Sequence, residues 1–309
     1  MGGIFRGVKV GLALGGGAAR GLSHLGVLSE LEKAKIPIHL IAGTSIGAVI
    51  GGMYALDPVA EQIEKRFIDF LKSDDYEDAK MDFLSSTKVG EQGVLNGLLG
   101  KISRKLRRSY FYGVSLTNVS YLPAGVLERN IADIVPDLEF RHCKIPFSCC
   151  ATDLVSRKNF YFEKGSVQKA ILASCSIPGI FPPVKMAGMV LIDGSWAEQN
   201  PVRRARIMGA DIVIAVDIMQ DDEPEPEPTN SLEVITGGSV VTRRVLANLQ
   251  LEGADYIITP KTKGIHWADF SKAEEAVQAG RDAASEAVKK IRSCIRRGRV
   301  RNFFTGRCR

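Results

Sequence analysis

Histidine is scarce in this 309-residue chain: His24, His39, His142 and His266 are the only four. None sits in a loop after a late apolar run, where a hydrolase triad histidine would stand. The six cysteines (Cys143, Cys149, Cys150, Cys175, Cys294, Cys308) form no CxxC and no regular framework. That excludes a disulfide scaffold and favours reduced thiols used as small core residues. No leader is visible. Residues 10 to 19 are apolar but glycine-rich and end at Arg20, and Arg6 stands where a myristoylation signal needs Ser or Thr. The expectation is a cytoplasmic protein, or one peripheral on the cytoplasmic face of a membrane. A clean membrane span is also missing. Ile36 to Leu56 is uncharged and long enough, and Gly47 and Gly51 make a GxxxG, but Pro37 and His39 open it. Gly43-Thr44-Ser45 then breaks its centre.

What is present is an alternation. "VKVGLAL" (8–14), "IHLIAGTS" (38–45), "IPFSCCATDL" (145–154), "MVLIDG" (189–194), "ADIVIAVDI" (210–218) and "ADYIITP" (254–260) are short apolar runs bounded by Gly, Pro or Asp. They read as buried strands. Helical stretches lie between them, such as 19–34, where Leu22, Leu25, Leu28 and Leu31 recur every three residues. The pattern predicts an α/β fold: a three-layer α/β/α domain around a largely parallel sheet. Residues 74–130 lack a strand pattern, hold the basic "KISRKLRR", and read as an inserted cap. "DDEPEPEPT" (221–229) is an acidic, proline-rich loop. The expected division is a hydrolase body over 1–288 and a basic tail over 289–309.

The break in the second run is a G-x-S-x-G: Gly43, Thr44, Ser45, Ile46, Gly47. A serine lifted off a strand end on a sharp turn needs small neighbours on both sides and stands at a helix N-terminus. A buried strand, turn and helix without chemistry would give the same letters. "LALGGGAARG" (12–21) supplies a second strand-to-helix junction, whose bare amides can face an anion. Neither register of its glycines gives a GxGxxG, and no Walker lysine follows, so a nucleotide cradle fits poorly. Asp193, ending "VLIDG", offers a carboxylate base if its strand end shares an edge with Ser45. His24 reads as a packing or supporting residue, and Asp153 as a structural hydrogen-bonding group.

In order, GGGAARG, GTSIG and DG, together with "ATDL" (151–154) and "SIPGIFPPV" (176–184), resemble the patatin-like phospholipase family, over about Val8 to Pro260. The resemblance implies a Ser45–Asp193 dyad, Gly194 in the base motif, and an oxyanion loop of Gly16, Gly17 and Ala18 with Arg20 alongside. It implies an acyl hydrolase acting on a phospholipid or another fatty-acyl ester, with no cofactor and no metal. Ala18 departs from a position that is often glycine, and Ser195 from one that is usually Gly or Ala. Ile177, Ile180, Phe181 and Leu95 to Leu99 are candidates for an acyl groove, though "SIPGIFPPV" reads equally as a rigid structural loop. A regulatory or lipid-binding module with little hydrolysis is the other reading, which the three intact motifs disfavour.

Two further clusters stand apart from these motifs. His142, Cys143, Cys149 and Cys150 have no metal-ligand geometry, because neighbouring strand residues face opposite sides. From Lys289 onward stand nine cations and no acid; subtracted from the net +6, they leave the rest of the chain at −3. With Ile291, Ile295, Val300, Phe303 and Phe304 interleaved, this end reads as an arm for an anionic membrane surface, Gly298 ending its helix, or equally as a solvated tail. A nucleic-acid role finds only Phe303 and Phe304 for stacking. Oligomeric state is not legible.

Overall fold

The computed structural model describes residues 7–73, 76, 119–219 and 227–304. Most of the expected cap, including Leu95 to Leu99, and most of the acidic loop lie outside the described residues. Eight strands are described: β1 (Val10–Leu14), β2 (Leu40–Thr44), β3 (Phe147–Asp153), β4 (Lys158–Phe162), β5 (Val184–Met186), β6 (Met189–Asp193), β7 (Ile212–Val216) and β8 (Tyr256–Ile258). They form one sheet in the order β5-β6-β3-β2-β1-β7-β8, with β4 also paired to β3. The pairs β1–β2, β1–β7, β2–β3 and β7–β8 are parallel; β3–β4, β3–β6 and β5–β6 are antiparallel. The expected mostly parallel α/β sheet is therefore present. Strands β4 and β5 escape the sequence reading because one alternates with exposed residues and the other has three residues.

Side-chain alternation sorts the two faces. Val10, Leu12 and Leu14 of β1 join Ile41, Ile212, Ile214 and Val216 in the larger core, under the helices α1 (Ser23–Lys33), α2 (Ile46–Leu56), α3 (Ala60–Leu71), α4 (Val126–Ile134) and α5 (Val167–Ser174). Ala13, Ala42 and Ala215 face the other way, where these small residues admit α6 (Val202–Ile207) and the end of α7 (Ser231–Leu251) at close range. The four leucines at 22, 25, 28 and 31 are all fully buried.

The last helix, α8 (Ala273–Phe304), corrects the reading of the basic end. Gly298 does not stop it; the helix passes through, and a side chain there would meet Ile212 and Val8. Ile291 and Ile295 are buried in the main core rather than free to enter lipid. Val8 and Ile212 mark the edge where β1 and β7 begin. The basic end therefore lies at the edge opposite the one where β2 ends.

The decisive register is at β3. Thr44 pairs with Cys150, and Asp193 pairs with the next residue, Ala151. Cys149 and Cys150 pair with β4 as well as β2, and Ala151 and Asp153 with β4 as well as β6. With β4 on one side, β2 and β6 must share the other. They run in opposite directions, so their C-terminal ends meet head-on. Shared direction in a parallel sheet is thus not what brings Ser45 to Asp193; an antiparallel β6 is.

Candidate active site

Ser45 follows β2 directly and precedes α2, with φ 54 and ψ −126. This left-handed conformation costs on the order of 1–3 kcal/mol in a non-glycine residue and needs enforcement from its surroundings. A side chain at Gly43 would lie 2.5 Å from the Gly47 carbonyl oxygen, and one at Gly47 would lie 2.3 Å from the Leu14 oxygen. Both glycines are required by close approach. The Ile36–Leu56 run divides here into strand, sharp turn and helix. Among the described residues no helix is long and apolar enough to cross a membrane.

The Ser45 hydroxyl donates to Asp193 Oδ2 at 2.6 Å, with both residues buried. The other carboxylate oxygen accepts from the Ser195 amide at 2.8 Å, and the Asp193 amide donates to the Ser176 carbonyl at 2.9 Å. Burial raises the Asp193 pKa above its ordinary 3.8; hydrogen bonds from Ser45 and Ser195, and the charge of Arg243, pull the other way. The Ser195 hydroxyl also favours the carboxylate. The "SIPGIFPPV" loop clasps the base through Ser176. Its Ile180 and Phe181 pack with Leu122, Val126 and Ala268 in a small separate cluster.

Ser174 is a participant the sequence reading missed. Its hydroxyl accepts from the Ser45 amide at 2.8 Å and donates to the Cys150 carbonyl at 2.6 Å, all three groups being buried. Ser174→Ala leaves a buried N–H and C=O unpaired, costing about 2 kcal/mol. It also loosens the strained turn. We expect a lower melting temperature and a kcat reduced about tenfold with KM little changed, since a barrier increase of about 1.4 kcal/mol is one decade. Thermal unfolding and steady-state kinetics on a soluble ester check both; equal kcat would remove Ser174 from the positioning of Ser45.

The glycine loop sorts its amides. Gly16 N–H donates to the Gln199 carbonyl at 3.2 Å, and the Gln199 side-chain amide returns a bond to the Gly16 carbonyl. Gly16 is therefore committed, and corrects the expectation that its amide faces an oxyanion. What Gly16 contributes is its bare Cα: a side chain there would lie 3.3 Å from Ser45 Cβ. Among the described residues no acceptor is bonded to the Gly17 or Ala18 amides. Ala18 has φ 47, a left-handed value that glycine would adopt without strain. Arg20 Nε donates to the Ile265 carbonyl at 2.8 Å, tying the loop to a neighbouring segment.

His24 supports this loop from beneath. Its Nε2 lies 2.8 Å from the Gly15 carbonyl, which can only accept, so Nε2 carries the proton. Burial pushes its pKa down to about 4, and the ring is neutral at pH 7. The other histidines bond the backbone: His39 Nδ1 accepts from Val10, His142 Nδ1 from Glu139, and His266 Nδ1 from Ala268. His266 stands in the loop after β8, which corrects the expectation that no histidine follows a late strand. Asp153 accepts from the amides of Val155, Ser156 and Val190, which holds its strand end in place. Glu198, three residues beyond Ser195, is a buried carboxyl raised by burial and bonded by Tyr161 and Asn159. It braces the loop after the base.

The chain as a whole is similar to known proteins. The family model described as Patatin-like phospholipase matches residues 12–206. The chain is 30% identical over 221 residues to "Lysophospholipase nte1" of Emericella nidulans, covering 72% of this chain and 12% of that protein. It is 32% identical over 217 residues to "Lysophospholipase NTE1" of Scheffersomyces stipitis, covering 70% and 12%. This chain thus spans about one eighth of the length of these relatives. Among solved structures, VipD from Legionella pneumophila matches with a TM-score of 0.43 and 14% identity, covering 92% of this chain and 67% of that one.

Proposed function

Because the chain belongs to the patatin-like phospholipase family, we propose that it is a lipid acyl hydrolase of phospholipase A or lysophospholipase type, with Ser45 as nucleophile and Asp193 as base. The observation that carries this reading is the 2.6 Å bond from Ser45 to a buried carboxylate at the tip of a strained turn. As Oγ attacks the ester carbonyl carbon, its proton passes to Asp193. The Gly17 and Ala18 amides meet the oxyanion, and the burial of Ser45 and Asp193 makes each bond there count for more. Asp193 then returns the proton to the departing alcohol. Water, deprotonated by the same carboxylate, attacks the acyl carbon; the bond to Ser45 Oγ breaks, Oγ takes the proton back from Asp193, and the fatty acid is released. The scheme uses no metal and no cofactor. A binding-only module would have no use for the paired base and unengaged amides. The catalytic unit extends through α8, since Ile291 and Ile295 complete its core.

A fluorophosphonate probe, followed by a panel of phosphatidylcholine and lysophosphatidylcholine, tests the assignment. We expect stoichiometric labelling at Ser45 and release of free fatty acid. Absence of both would leave a binding module as the better account.

A further inference from the structure

Helix α7 presents two unlike faces. Arg243 lies 4.4 Å over the Trp196 ring, the Ala247 carbonyl accepts from Asn200, Gln250 exchanges bonds with Ala197 and Asn200, and Leu251 enters the smaller core. At 100° per residue these positions share one side. They hold the segment that follows Asp193. On the opposite side, Val234, Val241, Val245 and Leu249 are each more than half exposed, and Ile235 lies beside them. Such an apolar stripe is unusual on a free surface.

The topology sets its direction. Helix α7 connects the parallel neighbours β7 and β8, so it runs against the strands. Its N-terminal half therefore lies toward the edge where β2 ends in Ser45. From Val234 to Thr242 the helix holds no charge; Arg243 and Arg244 follow at once. An uncharged tip with the Arg244 guanidinium at its base complements acyl chains above and lipid phosphates at the boundary. A second copy of the chain is the lesser fit. A stable pair buries roughly 800 Å² per partner, more than five partly exposed side chains along one helix face present.

We propose that the outer face of α7 docks on a zwitterionic lipid bilayer and sets the Ser45 edge against it. Zwitterionic lipid is favoured because the outer face from Val234 to Thr242 carries no cation that would draw it to an anionic surface. The basic end of α8, at the other edge of the sheet, is not the docking element. The inference extends the lipid-hydrolase reading, and its binding step can be measured without turnover.

The test uses the full chain carrying Ser45→Ala, with phosphatidylcholine vesicles at low and high salt. Val241→Asp with Val245→Asp should cut vesicle partitioning at least tenfold, with salt having little effect on the parent. In the Ser45 background the same pair should leave the rate on a water-soluble short-chain ester unchanged. Thermal unfolding confirms the fold, and Val241→Ser with Val245→Ser serves if the aspartates destabilise it. Undiminished partitioning overturns the proposal. So does binding confined to anionic vesicles and lost in high salt, which would return the role to α8. A dimer in sedimentation that the substitutions dissociate assigns the stripe to a second copy instead. If the short-chain ester is not hydrolysed while partitioning still depends on the stripe, the docking surface stands and the hydrolase reading falls.

Discussion

Ser45→Ala is expected to lower kcat/KM for ester hydrolysis by about a thousandfold or more while the fold survives. The asymmetry follows from what the hydroxyl does. Its bond to Asp193 is one interaction in a site also held by the Ser45 amide to Ser174 and by the Asp193 backbone and second oxygen. The first turn of α2 is secured independently, since the Ser45 carbonyl accepts from Ala48 and Val49. Alanine keeps the backbone donors and the same strained φ. Ser45→Gly relieves that strain and should be at least as stable as Ser45→Ala, by about 1 kcal/mol. Both should lose fluorophosphonate labelling entirely. Near-normal turnover by either, with circular dichroism unchanged, would show that the nucleophile lies elsewhere.

The parts of this site legible in the sequence are those written by local chemistry. Two glycines around a serine, between an apolar strand and a small-residue helix, report a backbone that approaches Leu14 and Ala48 too closely for any side chain. Asp193 is legible as a carboxylate ending an apolar run. Its strand direction is not, because apolar alternation carries no sign of parallel or antiparallel pairing, and that direction is what makes the two ends meet. Ser174 and Gln199 act across 129 and 183 residues of chain. Nothing near either residue in sequence marks such a partner. The same blindness explains Gly16: three adjacent glycines look alike until Gln199 engages one amide. At the basic end, an isoleucine pair four residues apart fits a lipid surface and a protein core equally. The core holds them here, and Gly298 continues the helix because its bare Cα lets α8 lie against Ile212.

Asp193→Asn should be nearly as damaging as loss of the nucleophile, because asparagine keeps the shape and cannot take the proton. Its effects on stability and on pH separate base from scaffold. Burial raises the Asp193 pKa above 3.8 in the folded protein, so the folded state holds this proton more tightly than the unfolded chain. Between 3.8 and the raised value the folded form binds more protons, and this group's contribution to stability declines as pH rises. Asparagine removes that decline. The variant should melt at or above the wild-type temperature at neutral pH while its kcat/KM falls about a thousandfold. In the wild-type enzyme activity should drop on acidification through the raised pKa, where the base becomes protonated. His24, held at about 4 by burial and bonded to Gly15, cannot supply a histidine limb near its free value of about 6.5. Ser195→Ala offers the finer measurement. It deletes a hydroxyl that stabilises the carboxylate but leaves the Ser195 amide on Oδ1. The acid limb of kcat/KM should therefore move to higher pH, with the alkaline plateau little changed. A pH profile measured on a soluble ester reads this directly. A limb that stays in place in Ser195→Ala, or an Asp193→Asn enzyme that remains active, would remove Asp193 as the proton acceptor.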